Sequence, residues 1–332
     1  RQPFRSGLSI HDIKTNPAKP REIAFLEMPG IGINRLWWAG GRYAYVSAHF
    51  DGFTDHILCI VDLANITKPQ LVSQWWLPGM NRAAGETLTS PKGKRWALHH
   101  MIVAGDRGYG AWRDGGFTVH DISDAHNPKL LSHINWSPPY PGGTHTPLPL
   151  PNRKLAIVAD ESNADFCAKG LFYTWVLDVR DDANPVTIST LPTPPSTPAL
   201  DYCKMGNFGP HNLHENRPGS FRSSTTIFAT WQSAGVRVFD ISNPFRPEEA
   251  GLKEYSVTVE GAPGGPAAGV HKFSVQVAGA RNEALLVPRI IRSSMLTNMA
   301  CPVCSSPVTL GGGIEMTNVL TSGLKPGLLG SL

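Results

Sequence analysis

The sequence predicts an all-β fold, a β-propeller of four-stranded blades, and three observations carry that expectation. First, five segments follow one template of an alternating apolar run, Asp, an aliphatic residue, a short polar turn and Pro: "GLSIHDIKTNPAKPREIAFL", "HILCIVDLANITKPQLVSQW", "GFTVHDISDAHNPKLLSHI", "FYTWVLDVRDDANPVTISTL" and "GVRVFDISNPFRPEEAGL". Second, 33 Gly and 29 Pro in 332 residues interrupt the chain about every five residues, which suits short strands joined by turns and not long helices. Third, the repeat is long enough for four strands. The template aspartates Asp12, Asp62, Asp121, Asp178 and Asp240 lie 50, 59, 57 and 62 residues apart, the period of propeller blades, and sandwiches do not repeat one cassette in this way.

Within each template, residues on both sides of the turn alternate apolar and polar, the period of a half-buried strand, so each is an outer hairpin. In the last four the Pro follows the Asp by seven residues (Pro69, Pro128, Pro185, Pro247), and in the first Pro20 follows by eight. The five aspartates are expected to accept backbone hydrogen bonds from the turns they begin, a structural role. Ahead of the four later hairpins lie inner strand pairs, "INRLWWAGGRYAYVSA", "HHMIVAGDRGYGAW", "HTPLPLPNRKLAIVAD" and "HNLHENRPGSFRSSTTIFATW", with tight turns at "AGGR" and "PNRK". The chain opens on a lone outer hairpin and carries a further inner pair, "GVHKFSVQVAGARNEALLV", near residues 266–300. Joined, the halves close a five-bladed ring, and a piece of a six- or seven-bladed ring is the other reading. Residues 1–300 are expected to form one propeller domain and 301–332 a loosely ordered tail. Trp37, Trp38, Trp75 and Trp76 are expected in strands facing the inter-blade core, and the Gly pairs at 40–41, 115–116 and 142–143 in hairpin turns.

The composition is globular, at 41 % hydrophobic and 17 % charged. A net charge of +4 with scattered Lys and Arg argues against nucleic acid as a main partner. No run of about 18 apolar residues is present, so no transmembrane helix is expected. The N-terminus, RQPFRSGLSIHDI, has neither an initiator Met nor the apolar core of a signal, as in a fragment or a chain whose leader has been removed. Cytoplasmic and exported locations both fit. Of five cysteines, Cys167 and Cys203 are candidates for pairing, and Cys301-Pro-Val-Cys304 is a lone C-x-x-C without a second pair. Asn65-Ile-Thr67 and Asn135-Trp-Ser137 match the glycosylation acceptor pattern.

The repeat also aligns histidines. The third residue of each inner-strand start is Asn34 in "GINR", His99 in "ALHH", His145 in "GTHT", His211 in "GPHN" and His271 in "GVHK". With 12 His in 332 residues, chance places about one His in 28 at any position. Because the first strand of every blade lines the central channel, His99, His145, His211 and His271 are expected to converge and bind a transition metal ion: Zn, Cu, Fe or Mn. Mutual repulsion is expected to depress their pKa values. A channel of hydrogen-bonded histidines and water is the structural alternative. The loops after the second strands, "AHFDGFTD", "AWRDGG", "ADES" and "TWQSAG", are expected around the mouth. Glu215 is a candidate ligand or general base, and His214, three residues past His211, a residue that either packs in the blade or supports a ligand from behind. Asp114 and Glu161 are carboxylates that orient ligands, and Arg113 a holder of an anionic substrate group.

The five hairpins, with "LPGMNRAAGE", "AWRDGG", "GGTHTPLPLP", "FGPHNLHENRPGSF" and "ATWQSAGVRVFDISNP", make residues 6–275 resemble the LVIVD-repeat β-propeller proteins. These are more remotely similar to the selenium-binding proteins, some of which are methanethiol oxidases. The resemblance implies an oxidoreductase acting on a small thiol or similar molecule, which with the histidine cluster would be metal-dependent; hydrolase and lyase chemistry by metal-bound hydroxide are physically allowed as well. A non-catalytic propeller presenting its loops to a protein or surface polymer is the competing function.

Overall fold

The computed structural model describes residues 4–162, 167–195 and 201–250, together with the backbone of 254–260, 271–278 and 289–291. The chain divides into two compact units, residues 1–163 with 169–190, and residues 164–168 with 191–332. The expected tail at 301–332, and with it Cys301 and Cys304, lies outside the described residues.

The first unit opens with an antiparallel hairpin, β1 (Gly7–Asp12) and β2 (Arg21–Glu27). Three four-stranded antiparallel meanders follow. The first is β3 (Gly30–Trp37), β4 (Tyr43–Phe50), β5 (His56–Asp62) and β6 (Gln70–Trp75). The second is β7 (Trp96–Ala104), β8 (Arg107–Arg113), β9 (Phe117–Asp121) and β10 (Lys129–Ile134). The third is β11 (Thr144–Leu150), β12 (Leu155–Asp160), β13 (Thr174–Asp178) and β14 (Val186–Thr190), tied to the second through the pair Thr144 and Arg113. These are propeller blades, with sequential strands running outward from the first. In the second unit a one-turn helix α1 (Tyr202–Met205) precedes the sheet β15 (Thr226–Thr230), β16 (Val236–Asp240) and β17 (Glu248–Glu249). Residues 211–214 pair along β15 as an irregular first strand, with Leu213 bridging Ala229. A last sheet orders β18 (Glu254–Glu260), β19 (His271–Ala278) and β20 (Arg289–Ile291), so the backbone of the expected closing pair is strand at 271–278.

Burial explains where the sequence alternates and where it does not. The middle strands are covered on both faces: every residue of β12 and all but the first of β5 are buried, which requires continuous apolar runs. Outer strands such as β6 and β14 are only half-covered, and β14, VTIST, keeps the alternation in its sequence. Three expectations fail. Trp76 lies just beyond β6, though it packs against the core as expected. Trp38 lies beyond β3 and is 46 % exposed, its indole N–H donating to the Gly41 carbonyl at 3.1 Å. Gly142 and Gly143 sit in the connection between blades, ahead of β11, and not in a hairpin turn.

The five template aspartates all do what the turn requires. In each, Oδ1 accepts the amide two residues on: Lys14, Ala64, Ser123, Arg180 and Ser242, at 2.7–2.9 Å.

Candidate functional site

The pairing register puts the sequence-aligned residues at one structural position. Arg35, His100 and Thr146 stand opposite Ser47, Ala111 and Ala159, each of which in turn faces the residue four before its template aspartate. The preceding residues, Asn34, His99 and His145, fall where the ladder slips, at a bulge in all three blades. A bulge leaves one residue without a cross-strand partner and re-aims its side chain. In the second unit the His211 N–H and the Asn212 carbonyl both meet Thr230, a bulge at the same place. His271 begins β19.

Within the first unit two of these histidines come together. The imidazoles of His99 and His145 stack with centroids 3.5 Å apart and planes at 26°. His99 Nδ1 donates to the His145 carbonyl at 2.9 Å, which fixes its tautomer and leaves Nε2 as the nitrogen with a lone pair. His145 Nδ1 is bonded to Thr146 Oγ1 at 2.9 Å, and His145 Nε2 lies 3.7 Å from Glu161 Oε2. The same Glu161 carboxylate accepts from Arg113. His145 and Glu161 thus present ligand atoms to one point. The His99 pKa is lowered well below its ordinary value, first by burial, then by the charges of Arg113, Arg35 and His100. Desolvation, more than repulsion among ring histidines, therefore keeps this imidazole neutral.

The ends of the second strands carry another set of equivalent residues. Counting from the same register, His49, Arg113, Glu161 and Gln232 are equivalent, so one blade position carries four different polar side chains. Arg113 and Gln232 both have left-handed backbones, φ 52° and 42°. Each follows a fully buried Trp, Trp112 or Trp231, whose amide is bonded to the carbonyl of Gly116 or Gly235. Sequence reading placed both loops at the mouth, and a non-glycine residue held at positive φ is the kind of strain found at binding sites.

The remaining candidates have defined surroundings. Asp114 accepts the amides of Gly143 and Arg95 at 2.9 and 2.8 Å. Glu215 is buried and accepts from Arg217 Nε at 2.6 Å. His214 packs among Phe221 and Phe228, its Nε2 on the Phe221 carbonyl at 2.9 Å, the packing role of the two expected of it. Asp55 accepts from His56 and Arg95; burial opposes its ionised form, but these hydrogen bonds overcome it and hold the carboxyl below its ordinary range. Sequence reasoning missed the raised pKa of Asp160. Burial pushes its carboxyl up to about 7 despite hydrogen bonds from Trp175 Nε1 and Thr144 Oγ1. The signal was a lone Asp ending the otherwise apolar strand "LAIVAD".

Comparison with known proteins adds the fold and one family model. The LVIVD repeat model matches residues 35–75. A Pseudomonas aeruginosa periplasmic gluconolactonase aligns over 88 % of this chain and 78 % of its own, with a TM-score of 0.56 and 10 % identity, and shares the propeller architecture. The Kluyveromyces lactis protein Hsv2p aligns over 87 % of this chain and 73 % of its own, with a TM-score of 0.41 and 14 % identity. No curated protein matches the sequence.

Proposed function

We propose that this chain is a metal-dependent β-propeller enzyme acting on a small molecule. The observation that carries the proposal is the approach of His145 Nε2 and Glu161 Oε2 to 3.7 Å beside the stacked, neutral His99. With metal–ligand bonds of about 2.0–2.2 Å, two ligands of one ion stand roughly 3–4 Å apart, so this pair fits a transition ion. By repeat register His211 and His271 are assigned as the corresponding ligands of the later repeats, and Glu215 as a base. An ion held there would supply a Lewis acid or a redox centre. Arg113 binds an anionic group of the substrate while holding the Glu161 carboxylate in place.

The reaction assigned is oxidation of the small molecule, because an imidazole-rich set suits Cu and Fe as well as Zn. The gluconolactonase of similar fold supports an enzyme over a scaffold, and hydrolysis is the reaction to assay beside oxidation. Protein purified from cells supplied with Zn, Cu, Fe and Mn should carry about one metal ion per chain by elemental analysis, and His145→Ala should lose it. Metal-free wild type, or full retention by His145→Ala, overturns the proposal. Unchanged metal content in that variant, with Arg113 and Trp231 substitutions abolishing a protein partner, would establish the scaffold instead.

A further inference from the structure

We propose that Asp114 is a positioning residue that sets the geometry of His99, His145 and Glu161 together; where it concerns metal, this rests on the function proposed above. Asp114 Oδ2 accepts the amide of Arg95, the residue before β7, which carries His99. Asp114 Oδ1 accepts the amide of Gly143, two residues before His145. The Gly143 carbonyl in turn accepts the Glu161 amide at 2.7 Å. Asp114 itself follows Arg113, the partner of Glu161. One carboxylate therefore joins the starts of two first strands and, through the single residue Gly143, the backbone of the acidic residue.

The chain around it is shaped for this contact. Gly142 and Gly143 have φ of 96° and 83°, where side chains with a Cβ are strained. A Cβ on Gly142 would fall on Asp114 Oδ1, and one on Gly143 would come within 2.7 Å of the Glu161 carbonyl oxygen. The arrangement needs two acceptors pointing at two N–H groups. Aspartate supplies both, whereas asparagine supplies one and would turn its NH₂ against the other donor. Asp114 does this without its side chain bonding to any of the three residues it places.

Two measurements separate this inference from the metal reading. In metal-free protein, Asp114→Asn should speed hydrogen exchange at the Gly143 and Glu161 amides at least tenfold and leave the amides of the Asp121 turn unchanged. In Co(II) titrations followed by visible absorption, Asp114→Asn should raise Kd about 10–100-fold, as loss of a residue orienting metal ligands does. Asp121→Ala is the control: it removes a turn acceptor at the other end of the same blade, should lower Tm, and should leave Kd unchanged. Exchange in Asp114→Asn within twofold of wild type overturns the positioning role. Equal weakening of Co(II) binding by Asp121→Ala overturns it too, because the effect would then be general destabilisation. If wild type binds no Co(II) while the exchange result holds, the metal reading fails and the positioning role stands.

Discussion

At the scale of single residues, burial decides which side chains carry charge. His120 shows this away from the candidate site. It is fully buried, edge-on to Trp75 with centroids 4.3 Å apart. The Trp112 indole donates to Thr118 Oγ1, which is also hydrogen-bonded to His120 Nε2 at 2.9 Å. Burial, then the nearby His133, pushes the His120 pKa down to about 3. The unfolded chain binds that proton below about 6.5, so the stability the neutral ring contributes is complete above pH 6.5 and is lost as pH falls toward 3. At pH 5, wild type should take up about one more proton on unfolding than His120→Phe, read from the slope of unfolding free energy against pH; equal slopes would contradict the assignment. His99 titrates in the same direction and is common to both proteins. Which imidazoles are neutral was not legible in the sequence, because depth of burial belongs to the packed blade.

At the scale of the element, the outer hairpin is more regular than its sequence template. A second acceptor follows the first: Asn16, Asn65, Asp124, Asp181 and Asn243 each accept the amide two residues on. The carbonyl of each also accepts the amide three residues on, and Pro comes next. The spacing from first acceptor to second is three residues in four hairpins and four in the first, which locates the extra residue before Pro20. Three residues past the Pro, Ile23, Val72, Leu131 and Ile188 are the extra residues of a bulge in each return strand. One further on, Ser73 and Ser132 donate to the Ala125 and Asp182 carbonyls in the turn of the next blade, at 2.6 and 2.7 Å. Insertion of one Gly between Asp121 and Asp124 should therefore be tolerated, with Tm within about 2–4 °C of wild type. The same insertion between Asp124 and Pro128 breaks the second turn and should lower Tm by several times as much. Calorimetry of the two proteins checks this, and equal Tm values would count against it. The first acceptor and the Pro could be read from the repeat; the second was hidden because Asn and Asp alternate there and the spacing varies.

At the scale of the molecule, Cys167 and Cys203 form a disulfide with Cα atoms 5.5 Å apart, inside the second unit. Between them the chain leaves to build β13 and β14 in the first unit. Beside Cys203, Tyr202 receives Arg237 Nη2 on its hydroxyl at 2.8 Å and Ser233 Oγ on its carbonyl at 3.1 Å, so the bond is continuous with the loop that carries Gln232. Closing a loop of 36 residues is worth about 3–4 kcal/mol in the chain-entropy account. The Cys167→Ser, Cys203→Ser double variant should be cleaved faster by protease in the second unit, with cleavage of residues 4–160 unchanged, as mass spectrometry of the fragments would show. Uniform acceleration would mean that the bond stabilises the chain globally. The sequence by itself determined the repeat, the strand period, the structural aspartates and the equivalence of Asn34, His99, His145 and His211, because each is a matter of local alternation and spacing along the chain. Only the tertiary structure decided that the ring position is a bulge, that His99 and His145 stack, that Glu161 is shared between Arg113 and His145, and that Asp114 turns to backbone amides. Those outcomes depend on the packing of one blade against the next, which fixes side-chain direction and removes water, and neither is written in the order of residues.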